Sequence, residues 1–372
     1  MRTTVFLLSL LLSCSAAAAD SFRQVLISEP GDVDVLQLVD TSPLPEPGPG
    51  EVRIRVIAAS ASFTDIMVRK GIYGGIDAEL PYPPGYDLVG VVDKVGPGVS
   101  GIATGQRVAD MTIWGAYTEY AIRPAGNLVP VPDNLPADEA VVLVLAYVTA
   151  YQMLFRVADV RPGQSVLIHG ASGAVGTALA QLGRMAGLTM YGTASSAKQD
   201  YLKGLGVNPI DYQTEDFVER IREANDGAGV DVVFDAISVD NFARSYSVLT
   251  PGGILVEYGL YLKTRDEDSI VGLIGEFLGW QWQQLMWTWF PEQERRFAFY
   301  SIADMRSEQP QWFKDDLASL FDLAVEGTVT PRIWKRLPLA EAAQAHRHIE
   351  AGDVEGKIVL TISADSNTVE RR

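Results

Sequence analysis

The chain has 372 residues, 47% of them hydrophobic and 21% charged, with 34 Gly and 20 Pro. This is the balance of a globular protein of two ordinary domains, and it excludes a coiled coil, a collagen-like repeat or a disordered chain. Acidic residues outnumber basic ones 47 to 30, and the net charge of −17 repels phosphate backbones, so no nucleic acid is expected as a partner. The single cysteine, Cys14, lies in the first twenty residues. The folded body therefore has no thiolate nucleophile, no disulfide and no cysteine-ligated zinc.

The first nineteen residues read differently from the rest. Arg2 gives a positive start, Val5 to Leu12 is an apolar run broken only by Ser9, and Ser13 to Ala19 is rich in small residues. That is the order of a secretory signal peptide, with Ala17-Ala18-Ala19 before Asp20 as a small-x-small cleavage site, and it predicts a periplasmic or secreted protein. Other readings stay open. Leu11-Leu12-Ser13-Cys14 is a weak lipoprotein box, an uncleaved segment gives membrane contact through the N-terminus, and a misassigned start leaves the protein cytoplasmic. No later stretch reads as the roughly 18 apolar residues of a membrane span.

From Phe22 to about Pro132, short β-type runs such as Glu51 to Val56, Leu88 to Val92 and Arg107 to Ala109 are separated by Gly and Pro, which predicts a β-rich, barrel-like domain. After Asn134 the texture changes. Strand candidates Ser165 to His169, Leu188 to Gly192, Asn208 to Tyr212, Asp231 to Phe234 and Gly253 to Tyr258 alternate with helical stretches at 174–186, 198–205, 214–225 and 239–249. Strands alternating with helices predict a doubly wound parallel sheet, so the fold class is α/β. Arg332 to Ile362 returns to strand, helix, strand.

The strongest chemical signal is Ala171-Ser172-Gly173-Ala174-Val175-Gly176, directly after a strand and before a helix. It is a dinucleotide-binding turn in which Gly173 lets the backbone approach a pyrophosphate, Gly176 lets helix pack on strand, and the helix N-terminus supplies free N–H groups. The second strand ends in Thr193-Ala194-Ser195-Ser196-Ala197-Lys198, without the carboxylate that would hold an unphosphorylated ribose and repel a 2′-phosphate. Ser195, Ser196 and Lys198 offer hydroxyls and a cation, which suits NADPH; Ser195 and Ser196 also fit a helix cap, and both roles are compatible.

Taken together, these motifs resemble the medium-chain dehydrogenase/reductase superfamily in its zinc-independent quinone oxidoreductase branch. The resemblance runs through Ser62-Phe63-Thr64-Asp65, Arg69 to Tyr73, Pro84 to Gly90, Val95 to Val99, Gly105 to Val108, Thr149-Ala150-Tyr151, the glycine turn and Gly356 to Leu360. Tyr191 to Ser195 followed by Pro209 to Tyr212 looks most like the vesicle amine transport protein subgroup. The resemblance implies a GroES-like barrel domain from residues 20–145 and 328–372, with a Rossmann domain, 146–327, inserted between them. It places cofactor contacts at Ala171, Ser172, Gly173, Ala174, Val175, Gly176, Thr193, Ser195, Lys198, Tyr212 and Lys357.

Zinc-dependent relatives carry a cysteine near position 60 and Gly-His-Glu where this chain has Gly85-Tyr86-Asp87, and neither ligand set is present. His169, His346 and His348 read as structural or surface histidines. Many relatives have Asn where this chain has Ser62, at a position facing the nicotinamide, and the shorter hydroxyl has less reach. Without a Lewis acid, alcohol oxidation is disfavoured. The expected reaction is NADPH-dependent reduction of a quinone or an α,β-unsaturated carbonyl, in which charge develops on an oxygen that needs hydrogen-bond donors. Candidate donors are Ser62, Tyr73 and Thr149, against the alternatives of an exposed loop aromatic for Tyr73 and a helix-packing hydroxyl for Thr149. Asp65 and Asp87 read as structural hydrogen-bonding groups. The rival reading is an NADPH-binding, membrane-associated or interaction protein that turns over poorly.

Four of the seven tryptophans fall in Trp280 to Trp289, inside a stretch, 269–289, whose upstream spacing predicts an amphipathic helix. Trp280, Trp282 and Trp287 lie off its main apolar face, where they would fill the cleft or core, pack in a homodimer or meet lipid. The polar flank has glutamines and no Lys or Arg, which argues against anionic lipid.

Overall fold

The computed structural model describes residues 20–74, 76–259, 270–289 and 294–363; the leader-like residues 1–19 and Cys14 lie outside that set. Two sheets carry the fold. The first is largely antiparallel and is built from both ends of the chain: β3 (Glu51–Ala61), β4 (Asp87–Val95), β5 (Arg107–Met111), β6 (Tyr120–Pro124), β7 (Val129–Pro130), β14 (Ile333–Pro338) and β15 (Lys357–Thr361). Its order is β14-β15-β3-β4-β5-β7, with β6 on β3. In β3, Val52, Ile54 and Val56 are buried while Arg53 and Arg55 face outward, the period of two that a half-covered strand imposes. Beyond Val56 the strand is buried throughout, as β15 pairs with its last four residues. A separate hairpin, β1 (Phe22–Ile27) and β2 (Leu36–Thr41), stands beside this sheet.

The second sheet is wholly parallel. Its strands are β8 (Ser165–Ile168), β9 (Thr189–Ala194), β10 (Asn208–Asp211), β11 (Val230–Asp235), β12 (Leu249–Glu257) and β13 (Arg296–Phe299), in the order β10-β9-β8-β11-β12-β13. The order reverses on either side of β8, which makes the carboxyl end of β8 the topological switch point where dinucleotides bind. The runs Val166-Leu167-Ile168 and Val232-Val233-Phe234 are buried without alternation because helices cover both faces. The predicted α/β class with a doubly wound sheet holds. The sixth strand is an addition: Arg296-Phe297-Ala298-Phe299 is too short to announce itself and is recruited by pairing with Ile254 to Glu257.

The helix Ala137–Val157 joins the two sheets. It is long and apolar enough to cross a membrane by length and composition, which corrects the expectation that no stretch after the leader qualifies. Most of it is buried, in a core that also takes Val89 and Ala109 from the first sheet and Val166 and Val256 from the second. Its hydropathy is that of a core helix surrounded on all sides.

Candidate active site and cofactor cleft

The glycine turn follows β8 directly. Gly173 caps the helix Ala174–Met185 in an extended conformation, so the first N–H groups of that helix lack intrahelical acceptors. A Cβ on Gly176 would lie 2.5 Å from the Gly170 oxygen and 2.6 Å from the Ala171 Cα, and one on Gly192 would lie 2.6 Å from the Ala171 Cβ. Strand, turn and helix are therefore closed up as tightly as the backbone permits, and the surface above Gly173 carries no side chain. A pyrophosphate fits this cradle through backbone donors and the helix dipole.

Beneath the turn lies a buried polar relay. His169 Nδ1 is 3.1 Å from Thr193 Oγ1 and its Nε2 is 3.0 Å from Ser245 Oγ, whose hydroxyl donates to Asp235 at 2.7 Å. Thr193 Oγ1 also accepts from the Gly170 N–H at 3.2 Å. Burial lowers the His169 pKa, so the ring is neutral and bridges two hydroxyls. His169 is thus structural, and Thr193 supports the turn from below.

The other proposed cofactor contacts lie along one rim. Ser196 Oγ donates to Asp211 and sits 3.0 Å from Gln213 Oε1, so a carboxylate absent from the end of β9 arrives from the end of β10 and occupies this serine. Ser195 precedes that turn without a side-chain capping bond. Lys198 Nζ donates to the carbonyls of Gly352 at 2.6 Å and Val354 at 2.8 Å, two of its three donors, and burial lowers its pKa. Tyr212 is 61% exposed.

At the start of β15 the turn meets the first sheet. The Gly356 N–H donates to the Ser172 carbonyl at 2.9 Å, and Gly356, at φ +82, leaves no room for a Cβ against the Arg332 oxygen. The next residue, Lys357, is buried, and its charge lowers the pKa of two buried carboxyls, Asp65 and Asp87.

Asp87 is fully engaged: Ser60 donates its N–H to Oδ1 at 2.9 Å and its hydroxyl reaches both oxygens. Burial still pushes its pKa up. Asp65 differs. Ser62 and Asp65 form a capping box at the start of helix Phe63–Arg69, with Ser62 N 2.7 Å and Ser62 Oγ 2.6 Å from Asp65 Oδ2. The Asp65 carboxyl is fully buried, with the Tyr117 hydroxyl as a further neighbour, and burial raises it to about 7 despite Ser62 and Lys357.

Tyr73 is half-buried, with its hydroxyl 2.7 Å from that of Tyr86 and the two rings edge-to-face, which removes the exposed-loop alternative. Burial raises both phenols. Tyr86 is a site residue that motif reading passed over; its signal was the replacement of a zinc-ligand histidine inside Gly85-Tyr86-Asp87. Thr149 is buried in the long helix, where its hydroxyl bonds Tyr300, which in turn donates to Gln152 at 2.8 Å. That is the helix-packing role.

Among the described residues no group of three or more His, Cys, Asp or Glu is arranged to hold a metal. His346 lies between Tyr117 and Arg69, and His348 packs on Trp334. In the helix Ile270–Trp289, Trp280 donates to Glu257 at 2.8 Å and Trp287 stacks on Tyr246 at 4.2 Å, so both pack inward. Trp282 (64%) and Trp289 (71%) are exposed, with Leu285 and Met286 between them.

Comparison with known proteins agrees with this geometry. Residues 48–133 match the alcohol dehydrogenase GroES-like domain, and residues 205–360 match the family described as zinc-binding dehydrogenase. The synaptic vesicle membrane protein VAT-1 homolog of Rattus norvegicus is 32% identical over 94% of this chain and 86% of its own length. A 2-haloacrylate reductase of Burkholderia sp is 34% identical over 84% of this chain and 91% of its own. A mycobacterial protein solved in complex with NADPH superposes with a TM-score of 0.77 at 30% identity, covering 91% of this chain and 99% of that one.

Proposed function

The chain belongs to the medium-chain dehydrogenase/reductase superfamily, in its zinc-independent quinone oxidoreductase branch, and we propose that it uses NADPH to reduce quinones or α,β-unsaturated carbonyl compounds. The observation that carries this reading is the junction at β15, where Gly356 binds the glycine turn and the charge of its neighbour Lys357 acts on the buried acids Asp65, bonded to Ser62, and Asp87. One strand start joins a dinucleotide cradle to a donor cluster.

NADPH, when bound, supplies the hydride. The turn from Ala171 to Gly176 holds the pyrophosphate, and Ser195, Lys198 and Tyr212 line the rim that takes the 2′-phosphate. Ser62 and the Tyr73–Tyr86 pair present hydroxyls to the oxygen on which charge develops, which is where fixed donors lower a barrier most. The ligand side chains of the zinc-bearing relatives are not part of this sequence.

The test is single-turnover oxidation of bound NADPH with a panel of quinones and enones. Acceptor-dependent loss of the reduced-cofactor absorbance is expected. Tight NADPH binding with no such loss across the panel would favour the binding-protein reading instead.

Trp280 meets the exposed Phe299 of the edge strand β13 edge-to-face, and the same helix exposes Trp282, Leu285, Met286 and Trp289. A strand at the edge of the described sheet and a helix with exposed apolar side chains support a homodimer through this region, checked by sedimentation of the wild type against Trp289→Ser. The leader-like residues 1–19 support export, and N-terminal sequencing of the native protein from fractionated cells tests it.

A further inference from the structure

We propose that Asp65 is the proton reservoir of the active site: it holds a proton in the dark of the protein and passes it through the Ser62 hydroxyl to the reduced substrate. The inference rests on the reductase reading above. Its geometry is the contrast between two neighbouring buried acids. Asp87 has both oxygens bonded by Ser60, whereas Asp65 takes both of its Ser62 bonds on Oδ2 alone, 2.6 Å from Ser62 Oγ. A capping box needs only the Oδ2 contact and no burial. A carboxylate buried to this depth is costly, whereas the neutral acid, with its proton on Oδ2 facing Ser62 Oγ, carries no charge to desolvate.

The groups around Asp65 come from several elements. Lys357 on β15 favours its carboxylate; Asp87 on β4 opposes it. Tyr73 and Tyr86 feel its charge; the Tyr117 hydroxyl is also a hydrogen-bond partner of Asp65 and lies 3.3 Å from His346, which faces Arg69 and, through it, Glu350. Burial dominates this set and puts the carboxyl at about 7. Ser62 is itself almost closed off, 9% exposed, and its hydroxyl is the group bonded to the acid.

The step balances. Hydride brings two electrons and one hydrogen to the substrate carbon, and the π pair moves onto the carbonyl oxygen. That oxygen takes the proton of Ser62 Oγ, Ser62 takes the proton of Asp65, and the carboxylate left behind is reprotonated from water before the next turnover. Asp65 acts through Ser62 and is a positioning and relay residue; Ser62 is the group that touches the substrate.

Two readouts test the proposal. In cofactor-free protein, the infrared difference between wild type and Asp65→Asn should contain the carbonyl stretch of one protonated buried carboxyl below neutral pH, titrating near 7, separate from the bands of Asp87 and Glu257 that both proteins keep. In turnover, wild-type kcat/KM should fall tenfold per pH unit above about 7. Asp65→Asn should lose about 100-fold at pH 6 and flatten that limb, Ser62→Ala should lose as much, and the double variant no more than the worse single one. Ser62→Thr, which keeps the hydroxyl, should restore most of the rate and the limb. Ser62→Ala leaves Asp65 in place, so it also serves if Asp65→Asn folds poorly. An unchanged pH profile in either of these variants, or a difference spectrum between wild type and Asp65→Asn that holds no protonated-carboxyl band, overturns the relay while leaving the reductase intact. A wild type that binds NADPH and never oxidises it overturns the reductase reading and the relay together.

Discussion

The two walls of the cleft are built from opposite materials. The wall from the parallel sheet is backbone: Gly173, Gly176 and the first turn of a helix, with His169 held neutral beneath them. The wall from the antiparallel sheet is made of buried ionisable groups: Asp65, Asp87 and Lys357, with Tyr73 and Tyr86 nearby. Backbone donors bind a charged cofactor without titrating, so their strength does not vary with pH. Buried side chains can be tuned near neutrality, which is what proton transfer requires. Binding and chemistry are thus assigned to different walls, and β15 is the hinge point of the sequence that touches both.

The largest effect comes from breaking the backbone wall. Gly176→Val should overpack against Gly170 and Ala171, costing about 3 kcal/mol of stability and weakening NADPH binding about 100-fold; chemical denaturation and calorimetric titration measure the two losses. On the other wall, Lys357→Met removes the cation that restrains Asp65 and Asp87. It should cost about 2 kcal/mol and shift the alkaline limb of kcat/KM upward, because Asp65 then holds its proton more tightly; a limb that moves down would show that Lys357 is not the restraining charge.

The smallest effect sharpens the comparison with a buried acid from the parallel sheet. Glu257 accepts from Trp280 and Gln284 and is raised by burial to about 8. A carboxyl whose folded pKa exceeds its unfolded value of 4.5 contributes fully below that value and loses its contribution as pH rises through 8. The wild-type Tm should therefore drop between about pH 5 and pH 8.5, and Glu257→Gln should make that drop shallower. Equal slopes in the two proteins would mean that Glu257 is already ionised in the fold.

The backbone wall was legible because everything it needs is local. Gly173 and Gly176 at their spacing, the apolar run Val166 to Ile168 before them and the helix after them are read in one pass of the chain. The other wall was only partly legible. Ser62, Tyr73 and Asp65 could be picked out as polar groups, but nothing in their neighbourhood separates Asp65 from Asp87. Thr149 and Ser196 looked available and are engaged, by Tyr300 and Asp211 respectively. Strand β13 and the burial of helix Ala137–Val157 likewise depend on partners far along the chain.

By itself, then, the sequence determined the α/β class, the glycine turn, the missing zinc ligands and the negative surface, because residue type and short-range spacing suffice for each. Only the tertiary structure decided which hydroxyl meets which acid, Ser62 on Asp65 and Ser60 on Asp87, and that Gly356 and Lys357 tie the two walls together. Those are matters of burial and long-range partnership. A carboxyl's proton affinity is set by the water it has lost and the charges it has met, and both are supplied by residues that approach it only when the chain is folded.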